Sequence, residues 1–292
     1  MSGDKPMAFR NIIVTGARGM LGYDLVHHLT AKGYDVVPCT SSDLNVLHSV
    51  DDIRAVLERI QPDLIIHTAA YTDVDGAEKN PELAVAVNQD GTRKLAVAAR
   101  DVGAILAYVS TDYVFDGQKG SPYTTDDRPN PINQYGLSKY HGELMIQEIL
   151  EQYYILRTSW LYGVHRNNFV DFVLNGAREG RELTIVSDWM GAPTWTGSLS
   201  DTIERVVTSG AYGIYHAVDQ GVVSKYEQAV RMCQAAGLSS DMIQPVPSSS
   251  LSFVATRPVF SALDPGELVV PQWTTSFEAY LTQRHQRAFT HE

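Results

Sequence analysis

The chain has 292 residues, of which 44% are hydrophobic, and it carries a formal net charge of −11. This length and composition suit one large α/β domain with a smaller lobe. No apolar run approaches the roughly 20 residues that a membrane span needs, and the acidic charge opposes non-specific binding to nucleic acid or to a membrane surface.

The N-terminal segment MSGDKPMAFRN is short and polar and lacks the apolar core of a signal peptide. We therefore expect a cytoplasmic protein without nucleic-acid or membrane partners. Cys39 and Cys233 are too few for a disulfide framework. Cys39 lies in an apolar run and is interpreted as a small buried residue.

Strand-like and helix-like segments alternate through the first half of the chain. Short apolar runs predict strands, and apolar residues at helical spacing predict helices. This alternation predicts a Rossmann-like, doubly wound parallel sheet with helices on both faces and a ligand site beyond the carboxyl ends of its strands. The predicted strands are 11–16, 34–40, 63–70, 104–115 and 153–163, and the predicted helices are 20–33, 50–62, 81–103 and 134–150.

After about residue 163, strand-like and helix-like segments no longer alternate regularly. Loop-like stretches at 187–195 and 245–260 separate helices predicted near 169–179, 197–209 and 224–236. We predict a sheet domain over residues 1–163 and a mainly substrate-binding lobe over residues 164–292. Segments near 185–220 and a C-terminal helix near 274–287 are candidates for returning to the first domain.

Three glycines, Gly16, Gly19 and Gly22, follow the first strand and open the first helix. Glycine at this spacing lets backbone N–H groups approach a pyrophosphate that sits on the helix N-terminus. The loop therefore predicts that the 1–163 domain binds NAD(P), through Gly16, Arg18, Gly19, Met20, Leu21 and Gly22.

The end of the second strand favours NADPH. An enzyme that prefers NADH usually carries an acid there for the ribose 2′-hydroxyl, whereas this chain reads Cys39-Thr40-Ser41-Ser42. Hydroxyl groups accommodate a 2′-phosphate, and Arg18 offers a cation. Asp43 and Leu44 are predicted on the adenine side. NADH remains the alternative.

Tyr135 and Lys139 are predicted one turn apart on the same helix face, downstream of Thr111 at a strand end. A free tyrosine has a pKa near 10, and a nearby ammonium group stabilises its anion. Thr111 would hydrogen-bond to the same substrate oxygen and orient it. These three residues are the predicted catalytic group.

On these motifs the chain resembles the extended short-chain dehydrogenase/reductases, and within them the dTDP-4-dehydrorhamnose reductase family. The matching stretches cover most of the chain: TGARGMLG (15–22), AAYTDVDGAE (69–78), STDYVFDG (110–117), NPINQYGLSK (130–139), RTSWLYG (157–163) and GAPT (191–194). The resemblance implies a nucleotide-sugar substrate and further site residues. Those implied to line the cofactor are Ala69, Ala70 and Tyr71, and those implied to bind substrate are Thr72, Val74, Thr111, Asp112, Tyr113, Tyr135, Trp160, Asn168, Pro193, Thr194 and Arg257.

Several positions depart from the family pattern, namely His67, Asp73, Gly76, Asp171 and Phe260. These changes leave the predicted catalytic group intact and bear on substrate specificity. His67, for example, stands where Asn or Cys is usual.

Direct reduction is the predicted reaction. A 4,6-dehydratase of this superfamily carries Asp-Glu after its catalytic threonine, whereas here Asp112-Tyr113 follows Thr111, so the second carboxylate is missing. The expected activity is NADPH-dependent reduction of the C4 ketone of dTDP-4-dehydro-L-rhamnose. Alternatives are a reductase of another nucleotide-linked 4-keto-6-deoxysugar and a non-catalytic NADP-binding subunit similar to methionine adenosyltransferase β.

Two further points stay open in the sequence. Some relatives form homodimers through magnesium-bound carboxylates, so a homodimer and a need for Mg²⁺ are both alternatives. No metal ligands are assigned, because the scattered glutamates are interpreted as solvated surface charges.

Overall fold

The computed structural model describes residues 9–290, with side chains up to residue 286. The polar segment behind the prediction of a cytoplasmic protein lies mostly outside the described residues. No helix within 9–290 combines the length and the apolar character that crossing a membrane requires. In chain order, the strands and helices are β1 (Asn11–Thr15), α1 (Met20–Ala31), β2 (Asp35–Cys39), α2 (Val50–Ile60), β3 (Leu64–His67), α3 (Val74–Lys79), α4 (Pro81–Ala84), α5 (Thr92–Val102), β4 (Ile105–Thr111), α6 (Gln134–Ile149), β5 (Tyr153–Thr158), β6 (Leu161–Tyr162), α7 (Phe169–Arg178), β7 (Leu183–Val186), β8 (Met190–Gly191), β9 (Thr194–Trp195), α8 (Thr196–Thr208), β10 (Gly213–His216), β11 (Val223–Ser224), α9 (Lys225–Ala235), β12 (Ile243–Val246) and α10 (Trp273–Thr290).

The central sheet has six strands in the order β2-β1-β3-β4-β5-β10, and every pair is parallel. The chain leaves β1 toward one edge and returns at β3 on the other side, so the strand order reverses between these two strands. A crevice opens beyond the carboxyl ends of the strands at such a reversal. The predicted parallel sheet is confirmed.

Alternate residues of each strand pack on opposite faces of the sheet. Ile13 and Ile65 belong to the core cluster under α2, α5 and α6. Ile12 and Val14 belong to the cluster under α1 and α8. The helices therefore cover both faces, as the alternation of apolar segments predicts.

The second half of the chain contributes to both parts of the molecule. Helix α8 packs on α1, and β10 extends the central sheet beside β5. A separate buried cluster joins α7, α9 and α10 with β7 and β12, around residues such as Leu174, Met232 and Phe277. The division into two domains at residue 163 stays a prediction.

Four predicted elements differ from the structure, and the first is the strand predicted at 63–70, which ends at His67. The strand predicted at 104–115 ends at Thr111, because residues Asp112–Val114 form a 3-10 turn closed by the Phe115 amide and the Asp112 carbonyl. The strand predicted at 153–163 breaks after Thr158, where Trp160 has a φ of +46°. The helix predicted at 81–103 contains a seven-residue π-helix, Val85–Gly91, between α4 and α5.

Candidate active site

A cleft of about 1140 Å³ lies beyond the carboxyl ends of β1, β3, β4 and β5. The predicted glycine loop, the catalytic group and part of the predicted substrate site all line it. The predicted residues in its lining are Gly16, Arg18, Gly19, Met20, Leu21, Gly22, Thr40, Ser41, Leu44, Ala69, Ala70, Thr72, Val74, Thr111, Asp112, Tyr113, Tyr135, Lys139 and Trp160.

Gly16 and Gly22 are packed too tightly to carry side chains. Gly16 has a φ of +65°, and a Cβ there would lie 2.8 Å from the amide nitrogen of Ala69 on the neighbouring strand loop. A Cβ on Gly22 would collide with the Gly16 carbonyl. Helix α1 begins after Gly19 without a side-chain cap, so its N-terminal amides face the cleft as an anion site. These residues fit the phosphates of a dinucleotide.

The loop after β2 presents hydroxyl groups, not a carboxylate, to the cleft. The Asp43 carboxylate instead accepts hydrogen bonds of 2.9 Å from the Thr40 amide and 2.7 Å from the Thr40 hydroxyl. These bonds lower the pKa of Asp43, and Arg18 adds a smaller attraction. Asp43 does not line the cleft, whereas Thr40, Ser41 and Leu44 do.

Arg166 is a cleft residue that the sequence analysis missed. It is exposed, lines the cleft from the loop before α7, and its Nε donates to the Arg18 carbonyl over 3.0 Å. Its φ of +101° is rare for a residue with a side chain. No motif marks this position, because the contact joins segments 148 residues apart.

Asn88 is a second missed residue, and it fixes the loop after β3. Its side chain accepts from the Tyr71 amide over 2.8 Å and donates to the Tyr71 carbonyl over 3.0 Å. It also donates to the Ser138 hydroxyl. Tyr71 does not line the cleft, whereas Ala69 and Ala70 do. The sequence gives no signal for Asn88, because it is followed by the polar residues Gln89 and Asp90 in the same helical segment.

The three predicted catalytic residues meet in the cleft. Thr111 ends β4, and Tyr135 and Lys139 lie on α6. The Thr111 hydroxyl donates to the Asp112 carboxylate over 3.0 Å, and it lies near enough to the Tyr135 phenol to lower its pKa slightly. The Lys139 ammonium donates to the Val109 carbonyl over 2.7 Å and lies 3.9 Å from the ring centre of Tyr108.

Burial dominates the ionisation of this group. It raises the pKa of Tyr135 to about 12 and lowers the pKa of Lys139 to about 7, the latter opposed by the charge of Glu143. The sequence predicts that Lys139 lowers the pKa of Tyr135. In the protein alone, the loss of water around the phenol outweighs any such effect.

A buried ion pair lies behind Lys139. Glu143, one turn further along α6, accepts hydrogen bonds from Arg157 over 2.7 Å and from Ser110 over 2.5 Å. Both members of the pair are almost fully buried, with 2% and 0% of the side chains exposed for Arg157 and Glu143. His216 lies beside Arg157, and burial lowers its pKa to about 4.

Four residues that the resemblance implies to bind substrate lie outside the cleft lining. Asn168 caps α7 and donates to the Gly163 carbonyl. Pro193 and Thr194 are buried. Arg257 forms an ion pair of 2.9 Å with Asp75. Their predicted contacts with substrate stay predictions.

Comparison with known proteins places these motifs in one family. The profile of the RmlD substrate binding domain matches residues 10–285. A dTDP-4-dehydrorhamnose reductase from Burkholderia thailandensis is 36% identical over 268 residues, 86% of this chain and 89% of the relative. A Streptomyces niveus protein named dTDP-4-keto-6-deoxy-D-glucose reductase is 35% identical over 271 residues, 90% of this chain and 94% of the relative.

Comparison with solved structures indicates the same family. A dTDP-4-dehydrorhamnose reductase from Bacillus anthracis, crystallised with NADP, superposes with a TM-score of 0.90 at 37% identity, covering 94% of this chain and 99% of that one. A Clostridium acetobutylicum homologue gives a TM-score of 0.89 at 33% identity, covering 93% and 98%. The chain belongs to the dTDP-4-dehydrorhamnose reductase family.

Proposed function

We propose that the protein reduces the C4 ketone of dTDP-4-dehydro-L-rhamnose to dTDP-L-rhamnose with NADPH. The observation that carries this proposal is the meeting of Thr111, Tyr135 and Lys139 in a cleft that also contains the glycine loop. The names of the relatives supply the substrate.

The cofactor would lie along the lining from the glycine loop to Lys139. The amides at the start of α1 would hold its diphosphate, and Ala69 and Ala70 would pack beside it. Thr40, Ser41 and Arg18 would bind a 2′-phosphate, and the Bacillus anthracis relative contains NADP. When bound, NADPH supplies the hydride that reduces the carbonyl carbon.

Tyr135 would act as the proton donor. Its pKa of about 12 keeps the phenol protonated at neutral pH, which is the form that a reduction needs. Thr111 and Tyr135 would together hold the substrate oxygen as negative charge develops on it. The charged form of Lys139 would stabilise the tyrosinate that remains after proton transfer.

The substrate side is proposed on the remaining cleft residues. Thr72, Val74 and Tyr113 line it beside the catalytic group, and Trp160 offers an apolar wall suited to a 6-deoxy methyl group. Contacts from Asn168, Pro193, Thr194 and Arg257 to the nucleotide rest on the family resemblance alone. A homodimer and a role for Mg²⁺ stay predictions.

A second candidate is reduction of a different nucleotide-linked 4-keto-6-deoxysugar. The name of the Streptomyces niveus relative favours it, since that protein is as similar as the dTDP-4-dehydrorhamnose reductases. Both candidates use the same chemistry at C4.

The test is to follow NADPH oxidation with dTDP-4-dehydro-L-rhamnose made in situ and to identify the product. Formation of dTDP-L-rhamnose supports the proposal. Turnover only with another nucleotide-linked 4-keto-6-deoxysugar would assign that sugar as the substrate in place of dTDP-4-dehydro-L-rhamnose. Binding of NADPH without turnover of either would favour a non-catalytic, NADP-binding subunit.

A further inference from the structure

Lys225 places a cation between two aromatic rings behind the substrate part of the cleft. Its Nζ lies 3.8 Å from the ring centre of Trp160 and 4.3 Å from that of Phe169. Both distances are well within the range over which an ammonium group attracts an aromatic face. Of these three residues, only Trp160 lines the cleft.

Backbone hydrogen bonds fix the position of the segment from which the Lys225 side chain extends. Strand β11 pairs with β8, and the Lys225 amide donates to the Trp189 carbonyl over 3.0 Å. Ser224 caps α9 directly before Lys225. The ammonium group donates to Oε1 of the buried Gln228 over 3.1 Å. The Lys225 side chain thus extends from a hydrogen-bonded segment at the start of α9, and its ammonium group packs against the Trp160 ring.

Trp160 is held in an unusual conformation. Its φ of +46° costs backbone energy, and a Cβ on Gly191 would collide with its indole ring. Strained backbone persists only where surrounding contacts fix it. Lys225 and Gly191 supply such contacts from neighbouring segments, since β8 pairs with β11.

Burying the ammonium group is unfavourable, and a methionine would fill the same space without a charge. Burial lowers the pKa of Lys225 to about 7, and the carboxylate of Asp112 opposes this effect. Asp112 accepts a hydrogen bond from the Thr111 hydroxyl. Lys225 therefore contacts the Trp160 ring on the cleft wall and lies within electrostatic range of Asp112.

We infer that Lys225 is a positioning residue for substrate binding, whose cation–π contact holds the Trp160 indole in the place where it meets the sugar. This inference rests on the proposed function for its substrate. It concerns the KM for the nucleotide sugar, because Lys225 touches neither the cofactor loop nor Tyr135.

The first test compares Lys225→Met with Lys225→Arg. We expect Lys225→Met to raise the KM for the nucleotide sugar roughly 2- to 30-fold, the range that loss of a cation–π contact spans, with kcat and the Kd for NADPH nearly unchanged. Lys225→Arg should retain most of the affinity, since guanidinium also binds aromatic faces. Lys32→Met, which removes a half-exposed lysine outside the cleft, is the matched control.

The second test asks whether Lys225 acts through Trp160. In a Trp160→Phe background, Lys225→Met should raise KM by a smaller factor than in the wild type. Equal factors in both backgrounds would overturn the inference. So would an unchanged KM, or an equal loss of sugar and NADPH binding, which indicates general damage to the fold.

Tryptophan fluorescence separates this inference from the proposed function, because it requires no substrate. Lys225→Met should change the emission of the wild type but not that of Trp160→Phe. If Lys225→Met does not fold, Lys225→Gln serves as the neutral variant in both measurements. An emission change that is the same in both backgrounds contradicts the contact, whereas failure of turnover with a correct fluorescence difference contradicts only the proposed substrate.

Discussion

The hydroxyl of Thr111 lowers the pKa of the Tyr135 phenol, although one residue ends a strand and the other lies in the first turn of a helix. Both side chains line the same cleft, where one substrate oxygen can meet them. The Thr111 hydroxyl is held by its own hydrogen bond to Asp112, so it does not depend on Tyr135 for its position.

Replacing Tyr135 with Phe tests the proton donor. We expect kcat to fall by about 100-fold or more, because general acid catalysis contributes on that scale, while the Kd for NADPH changes little. Steady-state kinetics and a cofactor titration measure both quantities. Tyr212→Phe, at an exposed tyrosine outside the cleft, is the control. Near-normal turnover of Tyr135→Phe would rule out the assignment.

Arg18 is expected to set the preference for NADPH. Arg18→Ala should lower kcat/KM for NADPH about 10- to 100-fold more than for NADH, because a charged hydrogen bond to the 2′-phosphate is lost. Arg100→Ala, on an exposed helix surface, should leave the ratio unchanged. The wild-type ratio is decisive on its own, since a clear preference for NADH contradicts the argument from Thr40 and Ser41.

Breaking the buried ion pair of Arg157 and Glu143 is expected to lower the free energy of unfolding strongly. Arg157→Met should lower the free energy of unfolding by about 3–5 kcal/mol, because it leaves a buried carboxylate without its partner. Arg54→Met, at a partly exposed pair with Asp101, should cost about 1 kcal/mol or less. Urea unfolding measures both. Adding Glu143→Gln to Arg157→Met should recover part of the loss, and no recovery would show that the unpaired charge was not the cause.

His67 makes the fold sensitive to acid. Burial lowers the pKa of His67 from 6.5 to about 3. Between these two pH values, the His67 side chain binds a proton in the unfolded chain but stays neutral in the folded chain. Stability therefore falls with decreasing pH from 6.5 toward 3, by about 1.4 kcal/mol for each pH unit from this residue. His67→Asn should reduce the slope of unfolding free energy between pH 6.5 and 4.5. A slope equal to that of the wild type would contradict this role, since His216, with a pKa of about 4, accounts for only part of it.

Local sequence signals predicted the sheet and the centre of the cleft. The glycine spacing, the threonine at the end of β4 and the one-turn spacing of Tyr135 and Lys139 each follow from chain-local rules, and the parallel sheet brings them to one edge. The main lining residues of the cleft can therefore be predicted from the sequence.

Contacts between distant segments were not predictable in the same way. Arg166 reaches Arg18 from another part of the chain, and Arg257 pairs with Asp75 across 182 residues. The two-residue strand β8 depends on pairing with β11 and on a bridge from Met190 to Phe260. The break after β5 depends on the backbone of Trp160, which its side chain alone gives no reason to expect.

The π-helix of residues Val85–Gly91 gives the helical segment from α4 to α5 one wide turn, and Asn88 lies in it. Such a turn accommodates an extra residue within a helix and often marks a functional site. Here Asn88 uses it to hold the backbone of Tyr71 through two hydrogen bonds. A deletion that converted this segment into regular α-helix would displace Asn88 and release the loop after β3, so an irregularity in one element serves the geometry of its neighbour.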